Sequence, residues 1–283
     1  TADTSIAAGE YLILSQNIEG QDLQQLKKGT ASAEQFTMSF WVKGNASAVY
    51  VVEVYDSDNS ARVTHQSFAV TTSWNRIELT FTGDTTGALD DDNVTSLSFS
   101  IWLHAGSTFT SGTFASNTWG GIVQANRAAV DGFTSIYDAT SRTLSITGVQ
   151  WELGATATEF EHRTYGEELA LCQRYYEKII HDPSANNPDL CVAFAGQTTS
   201  SIGVYQFKVK KRALPTNAYS ALSHFVAFGN NYASNTPSAI GLYSSTTDVA
   251  INITIGAGNF VAQGSSLLRM TDATGFLAFS AEL

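Results

Sequence analysis

The chain has 283 residues, 43% of them hydrophobic and only 14% charged, which is enough apolar material for a core and too much for global disorder. It carries 15 Lys and Arg against 26 Asp and Glu, a formal charge of −11, so a phosphate backbone or an anionic membrane surface is a poor partner. No apolar run reaches the roughly 18 residues that a membrane-spanning helix needs, so the sequence predicts no membrane insertion. The chain opens at Thr1 with no basic-then-apolar leader and reads as a piece whose upstream part is missing.

In chain order, the first half predicts strands. Tyr11–Ile18 alternates roughly. Phe36–Val42 puts Phe36, Met38 and Phe40 on one face and Thr37, Ser39 and Trp41 on the other. Val49–Tyr55 is β-branched and aromatic, and Trp74–Phe81 sets Trp74, Arg76, Glu78 and Thr80 against Ile77, Leu79 and Phe81. Leu97–Leu103 alternates through Leu97, Phe99, Ile101 and Leu103, and Leu144–Leu153 closes the series. Turn-forming runs at 56–60, 83–87, 90–93 and 105–117 separate them. Short alternating strands divided by turns predict an antiparallel sandwich or barrel.

Tyr165–Ile180 departs from that pattern. Leu169, Cys172, Tyr176 and Ile179 recur at helical spacing, with Glu167 and Glu168 where the helix dipole favours acids and Asp182-Pro183 as a stop. Strands are expected again at Leu190–Ala195, Ile202–Val209, Ala239–Tyr243, Val249–Ile255 and Phe276–Leu283. Residues 1–163 hold 18 acids and 8 bases, whereas 164–283 hold 8 and 7, so a domain boundary is placed near Arg163. Cys172 and Cys191 are too few for a disulfide framework and are expected as two reduced, buried thiols.

Catalytic chemistry has little to stand on. Glu53, Glu78, Glu152 and Glu161 are carboxylates with no pairing at defined spacing, the five histidines are scattered, and no nucleophile elbow, zinc motif or phosphate loop is present. The expectation is a protein that is not an enzyme and needs no organic cofactor. Asp56 and Asp58, in an Asp-Ser-Asp-Asn loop, and Asp90 and Asp92, in an Asp-Asp-Asp-Asn loop, are candidate ligands for a structural calcium. The EF-hand glycine and closing glutamate are absent, and Asp/Asn turns that bond their own backbone explain the same residues. Trp41, Tyr55, Trp102 and Trp119 are candidates for stacking on a sugar ring, against the alternative of core packing; Trp119 sits in a Ser/Thr/Gly/Asn-rich loop, where a large ring needs a pocket, a subunit contact or a ligand.

Two resemblances add to this reading. YLILSQNIEG (11–20), FTMSFWVKG (36–44), the strand led by Trp74 and ITGVQWELG (146–154) resemble carbohydrate-binding-module-like jelly rolls. Where that family often carries an Asp tied to calcium in the last strand, this chain has Thr147-Gly148. TATEFEHRTYGEELALCQRYYEK (156–178), FKVKKRALPT (207–216) and the closing FSAEL (279–283) are similar to segments of tail-fibre and other structural proteins of tailed bacteriophages, with Lys211 where a Met is usual. The resemblance implies a jelly-roll β-sandwich over 1–163, then one helix and a smaller β-rich domain over 164–283. It implies a virion component on the particle surface that meets other virion proteins, recognises a host-surface glycan and assembles as a homotrimer. A purely structural head or tail decoration, and a binding module of a secreted enzyme, are the alternatives. The near-neutral C-terminal part is the expected subunit interface, with Phe225→Asp and Ile253→Asp expected to disrupt it.

Overall fold

The computed structural model describes residues 5–182, 184, 189–229, 234–242, 247, 249–250 and 260–283. The protein is mainly β, with 44% of the described residues in strands and 11% in helices. It divides into two compact units, Thr1–His162 with Leu283, and Arg163–Glu282.

The first unit is an antiparallel jelly-roll sandwich. Its strands are β1 (Tyr11–Glu19), β2 (Phe36–Gly44), β3 (Ala48–Asp56), β4 (Arg62–Val70), β5 (Asn75–Phe81), β6 (Thr95–Ala105), β7 (Gly120–Gly121) and β8 (Leu144–Leu153). One sheet has the order β1-β6-β3-β4-β7 and the other β5-β2-β8. A short helix, α1 (Ser107–Thr110), follows β6.

Period-two alternation decides which side chains meet. Phe36, Met38, Phe40 and Val42 of β2 face Tyr50, Val52 and Val54 of β3 and Leu97, Phe99, Ile101 and Leu103 of β6, all buried in one core. Phe36 stacks on Phe81 with ring centres 5.3 Å apart. Each such side chain contributes roughly 1.5–3 kcal/mol by leaving water. The strand β4 was not foreseen; its sequence, RVTHQSFAV, mixes polar and apolar residues, and its pairing with β3 over Arg62–Val70 holds it. A second, smaller cluster of Val51, Trp102, Ala105, Phe109 and Ala128 lies on the other face of the five-stranded sheet, where the 106–133 excursion folds back over it.

The second unit opens with the longest helix among the described residues, α2 (Tyr165–Tyr175), followed by β9 (Tyr176–Ile180). Thr164 and Glu167 form a reciprocal capping box at its start. The helical spacing of the sequence runs five residues too far. Tyr176 turns extended, and Tyr176–Ile180 pairs with the last strand instead, so sheet pairing overrides local propensity.

The remaining strands are β10 (Asp189–Gln197), β11 (Ser200–Gly203), β12 (Tyr205–Gln206), β13 (Thr216–Tyr219), β14 (Phe225–Gly229), β15 (Ser234–Asn235), β16 (Val249–Ala250), β17 (Gly264–Met270) and β18 (Phe276–Ser280). They form sheets β11-β10-β17-β14-β15, β13-β18-β9 and β12-β16. Ala239–Gly241 is not a strand, and most of the expected strand Val249–Ile255, Ile253 included, lies outside the described residues. Phe207, Phe225, Leu268, Met270, Leu277 and Phe279 make the core.

Within the basic run 208–212, Lys211 is fully buried, its Nζ 2.8 Å from Glu177 Oε2 and 2.5 Å from the Gln173 carbonyl. One sequence expectation changes here. Cys172 is exposed, not buried, while Cys191 is buried and its thiol is pushed up to about 11 by desolvation. Among the described residues no helix is long and apolar enough to cross a membrane.

Candidate functional site

The outer face of the three-stranded sheet carries the site. In β2, Phe40 and Val42 point into the core, so Ser39, Trp41 and Lys43 point out. Cross-strand register sets Trp41 opposite Arg76 of β5 and Thr147 of β8, and Lys43 opposite Ser145. One step before β5, Trp74 continues the outward series, and its ring lies 5.0 Å from Lys43 Nζ. Trp41 and Trp74 are thus diagonal neighbours, about 7–8 Å apart at the backbone. They stay 41% and 44% exposed on a rigid sheet.

A bulge shapes the floor of this face. Between the pairs Ser39↔Gln150 and Trp41↔Thr147, β8 contains one more residue than β2, and Gly148 takes a φ of +59°. Glycine adopts that conformation without strain, and the backbone angle rather than space calls for it: an added Cβ would be in ordinary contact, 3.4 Å from Trp41 Cδ1 and 3.7 Å from Phe160 Cδ2.

The other end of the face is closed by the segment after β8. Gln150 donates to Thr158 Oγ1 at 3.1 Å and to the Glu159 carbonyl at 3.2 Å, and accepts from the Glu161 amide at 2.7 Å. Arg76 donates to the Thr158 carbonyl and pairs with Glu78 at 3.2 Å. Burial pushes the Glu152 carboxyl up, but bonds from the Thr158 hydroxyl and amide and from Gln150, with the charge of Arg76, outweigh it and hold Glu152 below the usual range. The TATEFE stretch is therefore a strap over Thr37 and Ser39, both of which are buried although their strand positions point outward. Trp41 and Trp74 stay exposed beside it, with Lys43 half-buried.

The other sequence candidates lie elsewhere. Trp102 faces outward from the five-stranded sheet, yet it is 1% exposed, packed against Phe109 and Tyr11 at 5.2 and 5.8 Å under the 106–133 excursion. It has no face to offer a sugar. Tyr55, on the same sheet face, is half-buried with Arg127 at 6.0 Å. Trp119 is half-buried against the core; its indole N–H donates to the Thr82 carbonyl at 2.8 Å, and Lys28 Nζ stands 5.4 Å from its ring. It plugs the edge of the sandwich. Only Trp41 of the four is an exposed platform, and sequence reasoning missed its companion Trp74 and the cation Lys43. The signal was present: Trp74 falls on the polar side of its strand, with Arg76, Glu78 and Thr80.

Three of the four candidate metal ligands, Asp56, Asp58 and Asp92, are engaged by protein groups. Asp56 is fully buried, with its Oδ2 2.5 Å from Lys28 Nζ and its Oδ1 accepting the Asp58 and Asn59 amides at 2.9 and 3.1 Å. Lys28 also meets Asp84 at 3.1 Å and the Thr86 and Gly87 carbonyls at 2.9 and 3.0 Å. An ammonium thus stands at the Asp56 carboxylate. Asp58 accepts the Asp90 amide at 3.0 Å, so it ties the two loops together through backbone, and Asp92 accepts the Val94 amide at 2.9 Å in its own turn. Among the described residues no three His, Cys, Asp or Glu side chains gather as a metal site. Glu53 is buried and held by Arg127, and Glu78 by Arg76, so neither stands free as a catalytic acid or base.

No protein-family model matches this chain, and no curated protein matches it. Solved structures that match include one described as "CBM4 structure and function", at 14% identity over 50% of this chain and with a TM-score of 0.27. The match spans 60% of that structure's length.

Proposed function

We propose that the first unit is a non-enzymatic glycan-binding module, and that the chain is a bacteriophage virion component, a tail fibre or appendage at the particle surface. In this reading it recognises a host-surface glycan, meets other virion proteins and assembles as a homotrimer. The observation that carries the binding reading is the pair Trp41 and Trp74, exposed as diagonal neighbours on the uncovered end of one sheet face. Flat rings on a rigid floor, flanked by hydroxyl and amide groups, suit the C–H faces and hydroxyls of a sugar. The resemblance of 156–178 and 207–216 to fibre proteins supports the virion reading. The exposed Val192, Phe194 and Val204 of the second unit support assembly, which would multiply a weak single site.

The test is binding of the purified chain to a panel of bacterial surface polysaccharides, with Trp41→Ala and Trp74→Ala beside it. At least one glycan is expected to bind, and each variant to lose about tenfold or more, as for buried anchor residues. A panel with no binder, or binding that both variants keep, would overturn the glycan reading and leave a structural decoration.

A further inference from the structure

Lys43 is the exception among the cations of its unit. The first unit holds seven Lys and Arg against 18 Asp and Glu. With acids in such excess, each cation is expected to find a carboxylate. Lys27 meets Glu34 at 2.6 Å, Lys28 meets Asp56 and Asp84, Arg62 meets Asp84 at 2.8 Å, and Arg76 meets Glu78. Arg127 meets Glu53 at 2.5 Å, and Arg142 pairs with Asp138. Lys43 makes no ion pair among the described residues.

Its surroundings explain that. Ser145 lies opposite it on β8 and Trp74 on the other side; two positions back on the same face stand Trp41 and, across from it, Arg76 and Thr147. None is an acid. The acids of this sheet face, Glu78 and Glu152, lie toward the strap and are engaged by Arg76 and Thr158. The ammonium rests on the Trp74 ring, which leaves its N–H donors directed away from the ring for another group. An unpaired cation is thus positioned beside two exposed aromatic rings, in a unit that otherwise neutralises every cation it has.

We propose that this face takes an acidic saccharide, whose ring stacks on Trp41 and whose carboxylate or sulfate is bound by Lys43, held in place on the Trp74 ring. The proposal rests on the glycan reading above and adds the ligand class. At the roughly 8 Å screening length of physiological salt the unit's excess of acids is damped at this acid-free end of the face, and a charge-assisted hydrogen bond to the ammonium gives such a sugar about a tenfold advantage over its neutral counterpart.

Affinity electrophoresis in native gels tests it with two matched pairs of polymers: polygalacturonate against its methyl ester, and dextran sulfate against dextran. Retardation is expected in at least one anionic gel, about tenfold stronger than in its neutral partner, and Lys43→Gln is expected to abolish the difference. Retardation by polygalacturonate alone assigns a carboxylate, and by dextran sulfate alone a sulfate. Equal retardation within both pairs, no retardation in either anionic gel, or a preference that Lys43→Gln keeps would overturn the proposal. If a neutral glycan still binds through Trp41, the glycan reading survives that failure; if Trp41→Ala changes nothing on any glycan, both fall. Lys43 is half-buried on the solvent face and its substitution leaves the core untouched, so circular dichroism of Lys43→Gln should match the parent.

Discussion

The guanidinium of Arg127 lies 4.7 Å from the ring centre of Trp102, while its Nε and Nη2 hold both oxygens of the buried Glu53 carboxylate at 2.9 and 2.5 Å. The cation roofs the indole and neutralises the acid beside it. A tryptophan that points outward from its sheet is thereby turned into a packed residue, and this contact separates a structural Trp102 from an exposed Trp41.

The two tryptophans therefore respond differently to truncation. Trp102→Ala should cost about 3–5 kcal/mol of unfolding free energy, the range for emptying a large core side chain. Trp41→Ala should stay within about 1 kcal/mol of the parent, because its ring is partly in water already. Urea titration of both variants measures this. An equal loss in the two would mean that Trp41 is also a packing residue.

Much of the first unit was legible because strand alternation is a local signal. Phe36–Val42 and Leu97–Leu103 each declare a core face within seven residues, and both are strands with that face inward. What lay hidden depended on distant parts of the chain. Nothing in the outward position of Trp102 announces that residues 106–133 fold over it, and nothing in Asp56 announces that Lys28, far away in sequence, fills its carboxylate. Trp74 and Lys43 failed to stand out for a different reason: each is an ordinary strand-end residue until register makes them neighbours. In the second unit the helical spacing through Ile179 was real, but Tyr176–Ile180 gains a full ladder with β18 and leaves the helix.

The cage around Lys28 makes its own prediction. Removing the ammonium in Lys28→Met leaves Asp56 and Asp84 buried with Arg62 as the remaining partner, which should cost about 3–5 kcal/mol. The parent protein should melt at the same temperature with millimolar calcium or with chelator, since Asp56 is engaged. Thermal unfolding in the two buffers is the measurement. A calcium-dependent rise in the parent would show that a metal competes successfully for these oxygens or binds at Asp90 and Asp92.

Acid should weaken the first unit earlier than carboxylate titration alone explains. His65 is 4% exposed, and neither ring nitrogen has a hydrogen-bond partner; Phe114 covers it at 4.7 Å and its cross-strand neighbour is Glu53, already neutralised by Arg127. Desolvation, then the charge of Arg127, lowers its pKa from 6.5 to about 4. The unfolded chain therefore takes up a proton below about pH 6.5 that the folded chain refuses until about pH 4, so stability falls as pH falls through that window. The loss is at most about 3 kcal/mol, at roughly 1.4 kcal/mol per pKa unit. Asp84 acts lower still. Burial raises its carboxyl, but Arg62, the Thr86 amide and Lys28 together hold it below 3.8, so its contribution persists down to that range and is lost as pH falls through its depressed value. His65→Phe should remove the decline between pH 6.5 and 4 and leave the parent's stability at pH 7 equal or higher, because no unpaired nitrogen remains. Urea titrations from pH 7 to 4 decide it: a variant with the parent's slope would assign the loss to other groups.

Assembly is to be tested on the outer face of the second unit's larger sheet. Phe225, the residue that sequence reasoning nominated for the interface, is fully buried among Leu268, Met270 and Phe279, so Phe225→Asp should unfold the unit and say nothing of subunits. The alternation of β10 instead sends Cys191, Ala193 and Ala195 inward and Val192 and Phe194 outward, the last two 78% and 52% exposed. Those rings and branches stand on a unit with nearly balanced charge, where like copies do not repel. Light scattering of the parent should give about three times 30.4 kDa, and Phe194→Asp should give 30.4 kDa with an unchanged strand signal in circular dichroism. A monomeric parent would end the trimer proposal for this chain. A variant that remains trimeric would move the interface to another exposed surface, of which α2 is the first to try: Tyr165, Leu169 and Leu171 are exposed on it, and the helix buries none of its side chains.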